Sequence, residues 1–226
     1  MGKGRVNMKK KAVIFDLDGT LVDTLDSIEI SVNRTMDRLG YEHITRKQCR
    51  EFVGNGARVL IEKSLKSITN DVNDDKLDEA MKIYQEEFST YCTYNVNPYN
   101  GVVDMLQQLK IMDYRLAVLT NKPHAQAIIA VKELFGDEIF DLIQGQIDGF
   151  PRKPEPESLW AVIKELGLEN DECVFVGDSE VDIQTGKRAD IYTIGVAWGF
   201  RDEDVLQREK ADVVVHTAIE IVNVVE

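Results

Sequence analysis

The sequence predicts an α/β protein: a doubly wound, mainly parallel sheet (a Rossmann-like core) with a helical cap inserted after the first strand. Three observations carry that expectation. Short apolar, β-branched runs recur along the chain, with helical patterns between them. The strongest runs end in polar clusters. One interval, between the first run and the second, is far too long for a single crossover.

The first run is Lys11–Phe15, KAVIF, ending at Asp16. A short run with no polar alternation suits a strand buried on both faces of a parallel sheet. Similar runs stand at Arg115–Leu119, Cys173–Val176 and Tyr192–Val196, with weaker ones at Ile139–Ile143 and Asp212–Val215. Helical spacing appears at Val102–Ile111, Ala125–Phe135, Ser158–Leu166 and Val181–Lys187. The long interval shows helix-like spacing throughout (Ile28, Val32, Met36, Leu39; Leu77, Met81, Tyr84, Phe88) and no strand-like run. It reads as a helical insertion over 24–95, closed by the turn-rich Val96–Gly101, with the α/β core made of 8–23 and 96–226.

Composition bounds the function. In 226 residues, 40 acidic side chains oppose 27 basic ones, a net charge of −13. So anionic a chain lacks the broad basic face that nucleic acid or an acidic membrane requires. A small anionic substrate remains open if local cations or a metal invert the field. Cys49, Cys92 and Cys173 are few and far apart, which points to a reducing compartment and to no zinc site. No apolar run approaches a membrane span. The start, MGKGRVNMKKK, lacks the apolar stretch of a signal peptide, so residues 1–7 read as a loose leader and the protein as cytoplasmic. The acidic surface is compatible with a monomer or weak dimer.

Ligands of open α/β sheets bind at the carboxyl ends of the strands. The clusters there are Asp16-Leu-Asp18-Gly-Thr20, Thr120-Asn-Lys122-Pro, Pro151-Arg-Lys153-Pro-Glu-Pro156 and Gly177-Asp178-Ser179-Glu-Val-Asp182. Crowded carboxylates repel one another and call for a hard cation, and oxygen ligands favour Mg²⁺, which also binds substrate phosphate. A carboxylate can attack phosphorus and split one hard displacement into two easier ones. A lysine, a threonine hydroxyl and backbone N–H groups supply the donors that phosphoryl oxygens need. A second carboxylic acid two residues on can protonate the leaving oxygen and then activate water.

FDLDGTLVDT, LTNKP, RKPEPESL and VFVGDSEVDI match, in order, the four motifs of the haloacid dehalogenase-like hydrolases, and the chain resembles that superfamily over nearly all its length after Lys11. FVGNGARVLIEKSL, TNKPH and GVAWGFR make it most similar to the phosphoglycolate phosphatase-like group. The resemblance implies an Mg²⁺-dependent phosphatase of a small phosphorylated metabolite, working through an aspartyl phosphate. Asp16 would be the nucleophile and a metal ligand. Asp18 would be the general acid/base and bind the metal through its backbone carbonyl. Thr120 and the Asn121 backbone would hold the phosphoryl group, and Lys153 would neutralise the charge there. Asp178 would be a direct metal ligand and Asp182 an outer one. The cap would close over the site, exclude water and choose the leaving group. Relatives often read Ala-Ala-Gly after the fourth motif. Here Arg188-Ala-Asp190 stands, and Asp too can adopt positive φ.

Plainer readings stand beside these. A lone D-x-D is ordinarily a solvated turn and a lone lysine between prolines a surface residue; four motifs in order outweigh both. Asp182 is equally a first-turn acid favoured by the helix dipole. Asp23 and Asp26 read as turn and N-cap residues. Gly54-Asn-Gly56 is either a specificity loop or a helix-start turn. Arg58 reads as a solvated helix arginine rather than a carboxylate clamp. His124 reads as a surface histidine, and His43 and His216 share no metal spacing with it. Trp198 and Phe200 are read as packing, in the core or at the rim of the site. Two other functions use the same motifs: a sugar-phosphate mutase resembling β-phosphoglucomutase, and a phospho-ligand-binding module without turnover. The latter should lack one of Asp16, Asp18, Lys153 or Asp178, and all four are present.

Overall fold

The structure is a computed structural model and describes residues 9–226. The leader expected over 1–7, and the core boundary at residue 8, lie outside the described residues. In chain order the elements begin with strands β1 (Ala12–Phe15) and β2 (Val22–Asp23). Helices α1 (Leu25–Leu39), α2 (Arg46–Phe52), α3 (Ala57–Ile68) and α4 (Asp74–Tyr91) follow. Then come β3 (Asn97–Pro98), α5 (Val102–Ile111), β4 (Arg115–Pro123), α6 (His124–Phe135), β5 (Leu142–Gln146) and α7 (Glu157–Glu165). The chain ends with β6 (Cys173–Gly177), α8 (Glu180–Arg188), β7 (Tyr192–Val196), α9 (Glu203–Arg208), β8 (Val213–Val215) and α10 (Ala218–Val225).

Six strands form one parallel sheet in the order β5-β4-β1-β6-β7-β8. Helices cover both faces, which is why β1 is apolar at every position. Val13 and Phe15 face a cluster built with α5, α6 and α10 (Met105, Leu106, Val131, Ile221). Ala12 and Ile14 face the opposite cluster, built with α7 (Leu159, Val162, Ile163). The winding reverses at β1, with β4 on one side and β6 on the other. In register, Phe15 stands beside both Val118 and Val176. Asp16 therefore emerges where β6 ends and just before the Thr120 cluster of β4, in the crevice where such sheets bind ligands.

Helices α1 to α4 build a separate apolar cluster. Ile28, Val32 and Met36 recur every four residues on α1 and meet Leu77, Ala80, Tyr84 and Phe88 of α4. Phe200 is the one buried member of this cluster from outside the segment 25–92. Where the chain leaves and re-enters the sheet, β2 and β3 pair antiparallel (Val22 with Pro98, Asp23 with Asn97). This short ladder was expected only as a turn, because two-residue strands have no periodicity to read.

Other boundaries differ from expectation. β4 runs on to Pro123, since the chain stays extended through the Thr120 cluster and pairs Pro123 with Gln146 after a register shift. β5 starts at Leu142 instead of Ile139: Asp141 accepts the Leu116 N–H and the Arg115 guanidinium, fixing the strand start there. The sequence named neither α9, which is too short, nor α10, whose β-branched AIEIVNVV reads as strand. The N-cap of α1 is Thr24, not Asp26. Asp23 accepts the Leu25 N–H, which leaves Asp26 in the first turn, paired with Arg46 and Asn95. Asp190 takes φ 57°, so the residue standing for the usual glycine does adopt the left-handed turn.

Candidate active site

The ends of β1, β4 and β6 and the loop before α7 converge on one buried cluster. Asp16 continues β1 by donating its N–H to the Val176 carbonyl (2.9 Å). Lys153, 2 % exposed, points its ammonium at Asp16 Oδ1 (2.8 Å) and at Asp182 Oδ1 (2.6 Å). The other oxygen of Asp182 accepts the Ser179 N–H (3.1 Å) and hydroxyl (2.6 Å), a capping box that starts α8. Asp182 is thus both a first-turn acid and the partner that holds Lys153. Asp178 Oδ2 accepts the Phe200 N–H (2.7 Å), and Oδ1 accepts the Thr20 hydroxyl (3.3 Å). Two glycines make room for it: a Cβ on Gly19, whose φ is +88°, would stand 2.4 Å from Asp178 Oδ2, and one on Gly199 would stand 2.3 Å from its Cβ.

Carboxylate oxygens of Asp16, Asp178 and Asp182 lie within 4.8 Å of one another. Burial pushes the Asp16 carboxyl up; Lys153 pulls it down, Asp182 and Asp18 push it up again, and it comes to about 7. Burial, with Asp182 and Asp16 beside it, drives Asp178 well above the usual carboxylate range. Burial alone would lower Lys153, yet Asp16 and Asp182 outweigh it and hold the ammonium charged. Three carboxylates against one ammonium leave an excess of negative charge in a buried place. An oxygen-only donor set of that kind fits a hard divalent cation.

The remaining predicted residues sit around this cluster. Asp18 stands two residues along from Asp16, and its Oδ1 accepts a hydrogen bond from Lys122 Nζ (3.0 Å). Thr120 is buried, and its hydroxyl accepts the Lys122 N–H (3.2 Å). Asn121 was expected to act through its backbone, yet its side chain is fully engaged. Its Oδ1 accepts the Lys153 N–H (3.0 Å), and its Nδ2 donates to the Lys153 carbonyl (3.0 Å) and to the Gly54 carbonyl of the cap (3.1 Å).

Above the carboxylates is a cavity of about 70 Å³ whose cap side includes Ile28, Val53, Leu60, Tyr84 and Phe88. Gly54 and Gly56 line it too, and Gly56 is the N-cap of α3, so that loop is both a helix start and a wall of the site. Arg58 is not in the wall; it pairs with Asp78 and Asp74 on the outer face. His124 is half-buried, and its Nδ1 accepts the Gly145 N–H (3.1 Å), so it holds β5 rather than facing solvent. Trp198 donates its indole N–H to the Thr20 carbonyl (3.0 Å) and packs on Tyr99.

Sequence reasoning gave no individual role to Lys122, Tyr84, Arg50 or Arg201. Arg50 Nε donates to the Phe200 carbonyl (2.7 Å). In return, Arg201 donates to the carbonyls of Arg50 (2.8 Å) and Val53 (2.7 Å) and pairs with Glu180. Lys122 and Arg201 lay inside the quoted motifs LTNKP and GVAWGFR. Arg50 and Tyr84 carried no signal beyond helical spacing.

Fold and acid cluster together define a phosphoryl-transfer type of hydrolase, and comparison with known proteins agrees. The profile of the haloacid dehalogenase-like hydrolase family matches residues 13–196. The phosphoglycolate phosphatase of Colwellia psychrerythraea is 34% identical over 88% of this chain and 90% of its own. That of Aquifex aeolicus is 31% identical over 84% and 86%. Among solved structures, a candidate phosphoglycolate phosphatase from Lactobacillus delbrueckii subsp. bulgaricus superposes with a TM-score of 0.89 at 30% identity, covering 96% and 99% of the two chains. The chain belongs to the haloacid dehalogenase-like hydrolase family. Within it, the protein is a phosphoric monoester hydrolase of the phosphoglycolate phosphatase-like group.

Proposed function

We propose that this protein is an Mg²⁺-dependent phosphatase that hydrolyses a small phosphomonoester, with 2-phosphoglycolate as the best-supported substrate, through an aspartyl phosphate formed on Asp16. The observation that carries the reading is the buried set of Asp16, Asp178 and Asp182 about Lys153. In it, Asp16 Oδ2 is the carboxylate oxygen that Lys153 does not hold. Asp16 attacks phosphorus; the P–O bond to the leaving group breaks, and Asp18 gives that oxygen its proton. Asp18 then takes a proton from water, which attacks the same phosphorus and releases phosphate and free Asp16. Lys153 and the Thr120 hydroxyl offset charge on the phosphoryl oxygens.

Asp16, Asp178 and the Asp18 backbone carbonyl would hold Mg²⁺, with Asp182 outside them: its Oδ1 is held by the Lys153 ammonium and its Oδ2 by two Ser179 donors, whereas each Asp178 oxygen accepts a single neutral donor. When bound, the ion would supply positive charge against the phosphoryl oxygens. The printed names of the curated relatives support 2-phosphoglycolate in particular. Among the described residues no helix is long and apolar enough to cross a membrane, and the three cysteines are free, which supports a cytoplasmic protein.

The test is phosphate release from 2-phosphoglycolate, glucose 1-phosphate, nucleoside monophosphates and pyrophosphate, with and without Mg²⁺. Turnover that needs Mg²⁺ and favours 2-phosphoglycolate is expected, with Asp16→Asn inactive yet folded. Wild-type kcat in Asp16→Asn would sink the covalent mechanism, and glucose 6-phosphate as product would bring back the mutase.

A further inference from the structure

Three cations line the cavity: Lys122, Lys153 and Arg201. Lys153 is consumed by Asp16 and Asp182, and Arg201 by Glu180 and two carbonyls. Lys122 is different. Its side chain is 2 % exposed, it donates a single side-chain hydrogen bond, to Asp18, and its ammonium lies 4.8 Å over the Phe88 ring of the cap. An ammonium has three N–H groups, and a buried one leaves strong donors in want of acceptors.

One helical turn from Phe88 on α4 stands Tyr84, its ring stacked on Phe88 at 5.4 Å and only 4 % exposed. Its hydroxyl bonds to nothing among the described residues. It is not one of the sealed, unpartnered polar atoms among the described residues either, which are Thr24 Oγ1 and Ser158 Oγ, and Tyr84 is part of the cavity wall. Burial, together with the nearby Cys49 and Asp18, raises the phenol pKa, so the hydroxyl keeps its proton and can donate it.

We propose that Lys122 and Tyr84 form a carboxylate-binding subsite on the cap side of the cavity, which selects phosphomonoesters whose leaving group is a small hydroxy acid. The inference rests on the phosphatase reading above and assigns its specificity to two side chains. Lys122 reaches from β4, beside the acid that would protonate the leaving oxygen; Tyr84 reaches from the cap. A carboxylate one carbon beyond that oxygen would accept from both, against the apolar wall of Ile28, Leu60 and Phe88. A neutral alcohol would leave the ammonium short of acceptors. A second phosphate dianion would bring two charges to a place with one cation, itself already paired with Asp18.

The experiment compares kcat and KM on 2-phosphoglycolate and on 2-hydroxyethyl phosphate, its neutral counterpart, in the wild type, Tyr84→Phe, Lys122→Met and Lys122→Arg. The wild type should prefer the carboxylate at least about a hundredfold in kcat/KM, as two hydrogen bonds to a charged group imply. Tyr84→Phe should cut that ratio about ten- to hundredfold, mostly through KM, as for one hydrogen bond to a charged group. Lys122→Met should abolish the preference and Lys122→Arg restore much of it. Equal losses on both substrates, a ratio unchanged in Tyr84→Phe and Lys122→Met, or a wild type with no preference would each overturn the subsite while the phosphatase stands. Failure of the wild type to hydrolyse any phosphomonoester would overturn both.

Discussion

Asp16 is buried, and burial is what makes its charge costly. Without metal, its carboxyl sits near 7, against about 4 in an unfolded chain. Between those values the folded protein binds the extra proton, so metal-free stability falls as pH rises through that window. Urea midpoints in EDTA should therefore drop from pH 5 to pH 8 in the wild type and drop less in Asp16→Asn. Added Mg²⁺ should recover the wild type at pH 8 and the variant hardly at all. Gly199 poses the complementary constraint. A methyl group there would meet Asp178 and the Gly19 carbonyl oxygen (2.4 Å), neither of which can yield without moving the carboxylate. Gly199→Ala should raise the Mg²⁺ concentration for half-activation about tenfold or more, as the roughly 1–3 kcal/mol of overpacking implies.

At the scale of elements, legibility followed period and length. Val102–Ile111 was readable end to end because its apolar positions repeat over three turns. The Thr120 cluster was readable as chemistry but not as strand, since Asn121 and Lys122 face a site instead of a core. Residues brought together from different elements were the least visible: nothing near Tyr84 in the sequence mentions Lys122, and only the seating of α4 over β4 joins them. The local capping rule, by contrast, works as written at α2. Thr45 and Gln48 exchange side-chain and backbone hydrogen bonds there. Thr45→Ala should cost about 1 kcal/mol, read as a lower urea midpoint with an unchanged slope.

For the whole molecule, the four motifs pointed to one rim because each is contiguous in sequence; three end strands of one sheet, and the fourth is the loop that leads into α7. The cap's grip on that rim was hidden, being made of guanidinium-to-carbonyl bonds (Arg50 to Phe200, Arg201 to Arg50 and Val53) that carry no side-chain pattern at the accepting end. The expected net charge of −13 says nothing of the site, where lysines balance part of the local acid.

Phe200 belongs to both halves at once: its ring is buried in the cap's apolar cluster and its amide holds Asp178. A residue shared in this way makes two equilibria one. Whatever affinity a divalent ion gains from a seated cap, the cap gains in turn from the ion, by thermodynamic reciprocity. Mg²⁺ alone, before any substrate arrives, should slow hydrogen exchange and proteolysis across 46–60, and Arg201→Met should weaken that protection. The enzyme would then meet its substrate with the lid already biased by the ion beneath it.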